Sequence, residues 1–474
     1  MGVPGFFAWI LRKYKKKPII LKERKSTDFL LFDTNCLLHP TCFKVLAEKQ
    51  EMLNKSKYVD IRKLENTMMD ECLNYLDSIV SYIKPKVGVY IAIDGVAPVA
   101  KIKQQRSRRF KSVSDRQLKE NMLRKHKKPT DYFWNNSAIT PGTDFMIRLH
   151  HKILSWIKNK KDGLKYIYSS CYEPAEGEHK LLEFIRKNRK YQYMVYGLDA
   201  DLIFLSLAVN HNNIYLLREA VHLRNNEDKF VLVDIDMLKV AIMETMYSYI
   251  VDKDNNIELN SNIINSNIIN DFIFICYFLG NDFLPHMEAL DISKGAIDIL
   301  LECYCNMYKE LYLNGKNPYI VIKNKICKKN LLKFIDLLYI KEIEILELNY
   351  NTKRYYMKCD SNDKYIREMH RIDNVMFKVN DPIMVGMDDY NEYRKRYYMH
   401  HMKVDEKELE KTVEDICMKY LQGLEWVTIY YFKGCPDWRW YYPYDYPPFL
   451  NDIKKYIKKY KLTKFKLNSP LKPY

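Results

Sequence analysis

Five short apolar runs punctuate the first half of the chain: Phe29–Phe32, Gly88–Ile93, Lys165–Tyr168, Tyr191–Tyr196 and Asn213–Leu217. Each has the length of a strand, and these runs read as strands buried in a sheet covered on both faces. Longer stretches of helix-like sequence alternate with them. The pattern predicts an α/β fold, a mostly parallel central sheet flanked by crossover helices. Three of the strands run into acids: Asp33, Asp94, and then Asp199 with Asp201. Open α/β sheets place their sites outside the carboxyl ends of the strands. Acids repeated at that position signal a site, although any one alone is an ordinary turn residue.

The pattern changes downstream. Asp252 to Asn270 is Asn/Ile-rich and reads as a surface insertion. Beyond about residue 300 the chain becomes helical and Lys/Tyr-rich, and residues 386–474 are dense in aromatics. The expected organisation is an α/β catalytic region over 1–300, a helical connecting region over 301–386, and a helical, aromatic-rich segment over 387–474 packed onto the first. The densest apolar run, Phe272 to Leu279, is far too short to span a bilayer, so no membrane association is expected.

Composition narrows the class. Of 474 residues, 47% are hydrophobic and 14% aromatic, which is a folded composition. The formal charge of +17 calls for an anionic partner, nucleic acid first, or else a solvated basic surface. The eleven cysteines are scattered from Cys36 to Cys435, with Cys303 and Cys305 the closest pair. An odd count without C-x-x-C spacing, and an amino terminus that does not read as a signal peptide, point to reduced thiols in a cytoplasmic setting, with a nuclear one left open.

Seven acids stand in apolar or Gly-flanked contexts: Asp33, Asp94, Glu176, Glu178, Asp199, Asp201 and Asp282. Carboxylates gathered in one place repel one another unless divalent cations neutralise them, and an oxygen-rich set suits Mg²⁺ or Mn²⁺. Two such ions can activate water and stabilise the leaving oxygen in an in-line displacement at phosphorus. Taken singly, Asp33 and Asp94 could be strand-end caps, Glu176 and Glu178 could favour a helix amino terminus, and Asp282 could be a turn residue. Seven such accidents together are a poorer account than one site.

Between Lys101 and Lys128 there are twelve Lys/Arg and two acids, a local surplus of ten positive charges. Lys101, Gln105, Arg108 and Arg109 fall at i, i+4, i+7 and i+8, one face of a helix that begins just after Asp94 and Pro98. Such a face can hold a terminal phosphate through charge-assisted and bidentate bonds. A solvated helix that touches RNA non-specifically is the plainer alternative.

The stretches IDGVAPVAKIKQQRSRRF (93–110), EGEHKLLEFIR (176–186), YGLDADLIFL (196–205) and GNDFLPH (280–286) resemble the XRN-type 5′-to-3′ exoribonucleases. The segment from 139 to 150, the opening residues and YLQGLEWVTIYYFKGCPDWRWYYPYDYPPF (420–449) resemble them too, in family order. The resemblance implies a core related to FEN/PIN-type nucleases, two Mg²⁺ ions with Mn²⁺ as a substitute, and processive release of 5′-mononucleotides from single-stranded RNA with a 5′-monophosphate, by a monomer acting in mRNA decay. It assigns all seven acids to the metals and Lys101, Gln105, Arg108 and Arg109 to the 5′-phosphate pocket. It also assigns His39 and one of Trp438 or Trp440 to stacking on bases, where the residues alone read as packing. Cys36 stands where the family usually has glycine, Val99 where arginine is common, and Ala220 where an acid is usual. The chain is expected to be a short form of the family, without the long carboxyl-terminal domains. The rival readings are a FEN-like structure-specific DNA 5′ nuclease and a catalytically inactive RNA-binding relative.

Overall fold

The computed structural model describes residues 5–21, 23–56, 58–219, 230–251, 265–352, 359–373 and 381–473. Its centre is a seven-stranded sheet made of β1 (Ile20–Leu21), β2 (Phe29–Asp33), β3 (Gly88–Ala92), β4 (Lys165–Ser169), β5 (Tyr193–Tyr196), β6 (Ile214–Glu219) and β7 (Phe230–Asp234). The order is β1-β7-β6-β5-β2-β3-β4. The run from β6 to β4 is parallel throughout, in the register Phe32 opposite Ile91 and Tyr196. Only β7 and β1 pair antiparallel, at one edge.

The parallel strands are apolar on both faces because both faces are covered. Leu30, Phe32, Val89, Ile91, Met194 and Tyr196 point into one core, shared with α2 (Asn35–Lys55), α3 (Ile61–Ile83) and α5 (Asp144–Lys158). Phe29, Leu31, Tyr90, Ala92, Tyr193 and Val195 point into the other. That second core takes in α6 (Gly177–Lys187), α7 (Asp201–Ala208), α8 (Ile235–Ile250), α9 (Ser266–Cys276) and α10 (Ala296–Leu313). It runs on without a break into α11 (Lys328–Thr352), α13 (Tyr390–Met402), α14 (Leu409–Phe432) and α15 (Leu450–Tyr456).

Each of the five expected strands is present, with ends shifted by one or two residues; β5, for example, starts at Tyr193 rather than Tyr191. The two antiparallel strands were not anticipated. At two residues, β1 is too short to leave a pattern, and β7 runs straight into α8. The expected surface insertion needs correction at its end. Residues 252–264 and Ala220 lie outside the described residues, but Ser266–Asn270 open α9, where Ile268 and Ile269 are buried. The Ile268–Ile269 pair belongs to a core helix, capped by Asn265.

One long helix stands apart. In α4 (Val99–Lys125) only Ala100 and Met122 are buried, because the cationic sequence has no apolar face to bury. Its far end is held by α12 (Lys364–Asp373): Lys125 and His126 pair with Glu368, and the Lys128 ammonium just beyond the helix pairs with Asp363.

Away from the sheet ends, a buried carboxylate ties the connecting region to the core. Asp271 in α9 accepts the Tyr304 hydroxyl at 2.6 Å and the backbone N–H groups of Ile320 and Val321 at 2.8 and 2.7 Å. Burial pushes its carboxyl up to about 7. Removing it strands two backbone donors in a dry core, so Asp271→Ala should cost about 3–5 kcal/mol of stability. Asp271→Asn, which keeps one acceptor, should recover part of that loss. Denaturant unfolding of the three proteins measures it.

Candidate active site

Strand order builds the site. From β2 the chain adds β3 and β4 on one side, then returns to add β5 and β6 on the other. The carboxyl ends of β2 and β5 therefore border the crevice where the winding direction reverses, the place where such sheets hold ligands. Asp33 ends β2, Asp94 follows β3, and Asp199 and Asp201 follow β5. Helix α6 crosses back over β2 and β3 and lowers its amino terminus, with Glu176 and Glu178, onto the same edge. Asp282 arrives from the loop after α9.

The acids meet at close range. A carboxylate oxygen of Asp33, one of Asp199 and the Cys36 Sγ lie within 4.8 Å of one another. Glu176, Glu178 and His179 form a second group within the same limit. Gly177 joins the two groups. Its N–H donates to Asp94 Oδ1 at 2.6 Å, and a Cβ there would stand 2.7 Å from Asp33 Oδ1. Any side chain at 177 would push the strand end and the helix apart. Asn35 grips Asp94 from the other side, donating to Oδ2 at 2.9 Å and accepting the Asp94 N–H at 3.3 Å.

Burial raises the energy of these charges. Asp33, Glu176, Glu178, Asp201 and Asp282 are all buried, whereas Asp199 is exposed. Desolvation first, and then Asp94, push the Asp33 carboxyl up to about 8. Desolvation and Asp282 push Asp201 up to about 7, and desolvation with Glu176 raises Glu178 well above the usual range. Two buried carboxylate oxygens of this set, Glu178 Oε2 and Asp201 Oδ1, have no hydrogen-bond partner among the described residues. A buried acceptor with no partner is costly. The donor set therefore fits divalent cations: clustered carboxylate oxygens, two of them orphaned, outnumber the cations nearby.

Two lysines offset part of the charge. Lys101 places its ammonium between Glu176 and Asp282. Burial alone would raise Asp282, yet this contact holds its carboxyl below the usual range. Lys180 donates to the carbonyls of Ile93 and Ser170 at 2.6 and 2.8 Å, and burial pulls its ammonium down to about 8. Lys180, Asn35, His179 and Tyr430 escaped the reading of the sequence. Lys180 and His179 had a signal, since both sit in the EGEHK stretch at the start of α6. Tyr430 had none: it lies in α14, yet its hydroxyl donates to Glu176 Oε2 at 3.1 Å and its ring packs on His179.

The expected phosphate face divides. Lys101 turns inward to the acids, while Arg108 and Arg109 stay exposed and Gln105 is half-buried. Arg109 donates to Thr140 Oγ1 at 3.0 Å. His39 is half-buried beside them: burial lowers its imidazole, and the charges of Arg108 and Arg109 lower it further. The two tryptophans also separate. Trp440 is buried and stacked on Trp426 at 5.1 Å, so its ring is closed to a base. Trp438 is half-buried, and its carbonyl accepts the Val99 N–H at 2.9 Å, at the foot of the basic helix. Cys36 lies in the first turn of α2, where its thiol faces Asp33.

The chain matches a model described as XRN 5′-3′ exonuclease N-terminus over residues 1–220, and one described as Xrn1 helical domain over 263–385 and 378–474. The chain belongs to the XRN family. It is 29% identical to human 5′-3′ exoribonuclease 1 over 100% of its own length and 30% of that protein's. With Candida albicans 5′-3′ exoribonuclease 2 the identity is 26%, over 100% of the chain and 65% of the relative. The chain thus spans between about a third and two thirds of the length of these relatives. Among solved structures it is similar to the catalytic core of Rad2 in complex with DNA substrate, at 12% identity and a TM-score of 0.36, covering 84% of this chain and 86% of that one. Among the described residues no helix is long and apolar enough to cross a membrane.

A pH response follows from the crowding of the acids. An unfolded aspartic acid titrates near about 4, so a folded value of about 8 for Asp33 and about 7 for Asp201 means that the folded chain keeps protons the unfolded chain has lost. The stability tied to those protons is fully present below about pH 4 and is lost as pH rises through 7 to 8. In EDTA the melting temperature should fall between about pH 6 and pH 8. Saturating Mg²⁺ should reduce that fall, and thermal melts across pH with and without the cation check it.

Proposed function

We propose that this chain is a processive 5′-to-3′ exoribonuclease that takes single-stranded RNA by a 5′-monophosphate and releases 5′-mononucleotides, in the service of mRNA decay. One observation carries the reading: acids from five separate stretches gather at the sheet's switch point, with Arg108, Arg109 and His39 set close to one another on the elements that lead into them. Residues 1–300 form the catalytic region and 387–474 complete it, since Tyr430 reaches Glu176 from the second segment. The eleven cysteines are free, which suits a reducing, cytoplasmic setting.

Two divalent ions, Mg²⁺ with Mn²⁺ as a substitute, held among Asp33, Asp94, Glu176, Glu178, Asp199, Asp201 and Asp282, supply charge neutralisation and a polarised water for in-line attack at phosphorus. The chain's own residues do the rest. Gly177 and Asn35 fix the Asp94 carboxylate through both of its oxygens. Lys101 sits where it can follow negative charge from the acids to a bound phosphate, and Gln105, Arg108 and Arg109 extend that cationic face outward. His39 and Trp438 offer rings for stacking, a contact every base can make, so the strand can slide whatever its sequence. A face matched to one terminal phosphate group favours a monophosphate over a cap.

The decisive assay compares RNAs that differ only at the 5′ end, alongside single-stranded DNA and a DNA flap. Mononucleotides should come from the 5′-monophosphorylated RNA alone; equal decay of capped RNA, or one internal cut in the flap, would overturn the reading. Asp201→Asn should lower kcat by about a thousandfold, the several kcal/mol expected of lost metal charge, with little change in RNA affinity. Arg109→Ala should raise KM for 5′-phosphorylated RNA about tenfold. It should leave 5′-hydroxyl RNA unaffected, and steady-state kinetics on both ends tests this.

A further inference from the structure

The densest run of cations in the chain lies not in α4 but at the end of α1 (Phe6–Lys13). Of the six residues from Arg12 to Lys17 only Tyr14 is not basic, and all the cations are exposed. Lys13 pairs with Asp298 at 2.6 Å and Lys17 with Glu244 at 2.5 Å. Arg12, Lys15 and Lys16 have no acid within ion-pair distance among the described residues. The Lys17 N–H donates to the Tyr14 carbonyl at 2.9 Å, closing a turn whose two central residues are Lys15 and Lys16. Tyr14 anchors that turn: its ring packs on Trp9, and its hydroxyl accepts from Thr245 in α8 at 3.3 Å. Together with α8 the run lines a cleft of about 510 Å³ in which Glu244 is the one acid among the described residues. The helix dipole favours Arg12 and Lys13 in the last turn of α1, and acids account for Lys13 and Lys17. Neither reason covers Lys15 and Lys16.

We propose that this turn is a second RNA contact, in which Arg12, Lys15 and Lys16 hold backbone phosphates of the part of the strand that has not yet reached the acids. The path runs along α1, whose first turn touches the acid site. Phe7 packs under the Arg218 guanidinium, 4.5 Å from the ring centroid, and Arg218 donates to the carbonyls of Leu198 and Asp199 in the loop that presents Asp199. Eight helical residues span about 12 Å. A strand trailing from the acids along α1 therefore meets the turn after about four stacked nucleotides, at about 3.4 Å each. A row of phosphates is the partner that fits. Flexible ammonium groups spread along an open cleft match charge repeated along a polymer, whereas a single compact anion needs donors converging on one point. The one aromatic ring of the run is buried, so the contact reads no base and holds any sequence equally. Its service is to keep a long substrate bound while the 5′ end steps through the site.

The proposal rests on the exoribonuclease reading, and the test separates the two. Binding of 5′-phosphorylated RNAs of about four and about thirty nucleotides is measured in EDTA across salt concentrations, and their decay is followed in Mg²⁺. The full chain is compared with a triple variant, Arg12→Ala with Lys15→Ala and Lys16→Ala, and with a charge-keeping one, Arg12→Lys with Lys15→Arg and Lys16→Arg. The triple alanine variant should bind the long RNA at least about tenfold more weakly at moderate salt, with the salt slope smaller by about 2, since each lost phosphate contact removes about 0.7. It should also release long RNA part-digested. Its affinity for the short RNA and the decay of that RNA should stay unchanged, and the charge-keeping variant should match the parent throughout. Unchanged affinity and slope on long RNA, an equal loss on both lengths, or a loss in the charge-keeping variant as well would each overturn the contact. So would binding to phosphatidylserine vesicles that the triple alanine variant abolishes while long-RNA affinity holds, which would assign the turn to membranes. Failure of every form to release mononucleotides from either RNA would instead overturn the exoribonuclease reading, and the long-RNA binding comparison would still decide the contact.

Discussion

Carboxylates forced together out of water repel one another, and the architecture is arranged around that repulsion. Isolated, each acid would move to solvent or stay protonated. Here the ends of β2, β3 and β5 cannot move, because their parallel register is locked by apolar faces above and below. The sheet therefore holds in place a cluster that opposes its own assembly. Lys101 and Lys180 offset part of the charge, and the two orphaned oxygens mark what remains. The apolar core supplies the stability, and the site draws on it.

The second half of the chain serves the same constraint. Helix α14 presents an aromatic wall, and Tyr430 gives Glu176 a hydrogen bond that water would otherwise provide. Trp440 and Trp426 stack behind it, and Gly423 leaves room for the packing: a Cβ there would meet Leu284 at 2.5 Å, just past Asp282. Drying the site in this way strengthens every charge interaction inside it. The aromatics of 387–474 thus act on the acids through packing and a single hydroxyl rather than by direct charge.

The basic helix shows how one sequence feature can serve two ends. Its inner turn delivers Lys101 to the acids, and its next turns carry Arg108 and Arg109 outward beside His39. Spacing places Lys101, Gln105, Arg108 and Arg109 on one face of α4. The division comes from depth, because the first turn is held by Trp438 and by the Tyr442 and Tyr444 carbonyls that accept from Lys103, while the later turns stand clear. Depth along a helix has no signature in periodicity.

Strand runs ending in Asp33 and Asp94, and the acid pair after β5, were legible because burial on both faces demands continuous apolar sequence and charge can follow only where the strand leaves the sheet. The EGEH stretch and the cationic run were legible for a similar reason, since charge density survives in one dimension. Three things could not be read there. Which tryptophan stays open depends on Trp426, fourteen residues from Trp440 in sequence and stacked on it only once α14 has packed. The burial of Ile268 and Ile269 depends on a partner surface that a polar-looking Asn/Ile run does not announce. The hydrogen bonds of Asn35 to Asp94, Lys180 to the Ile93 carbonyl and Tyr430 to Glu176 are set by contacts across 59, 87 and 254 residues. Local sequence determined the kind of chemistry, acids for cations and cations for phosphate. Only long-range packing decided which groups share a buried space, because desolvation and pairing are properties of that space and not of any residue within it.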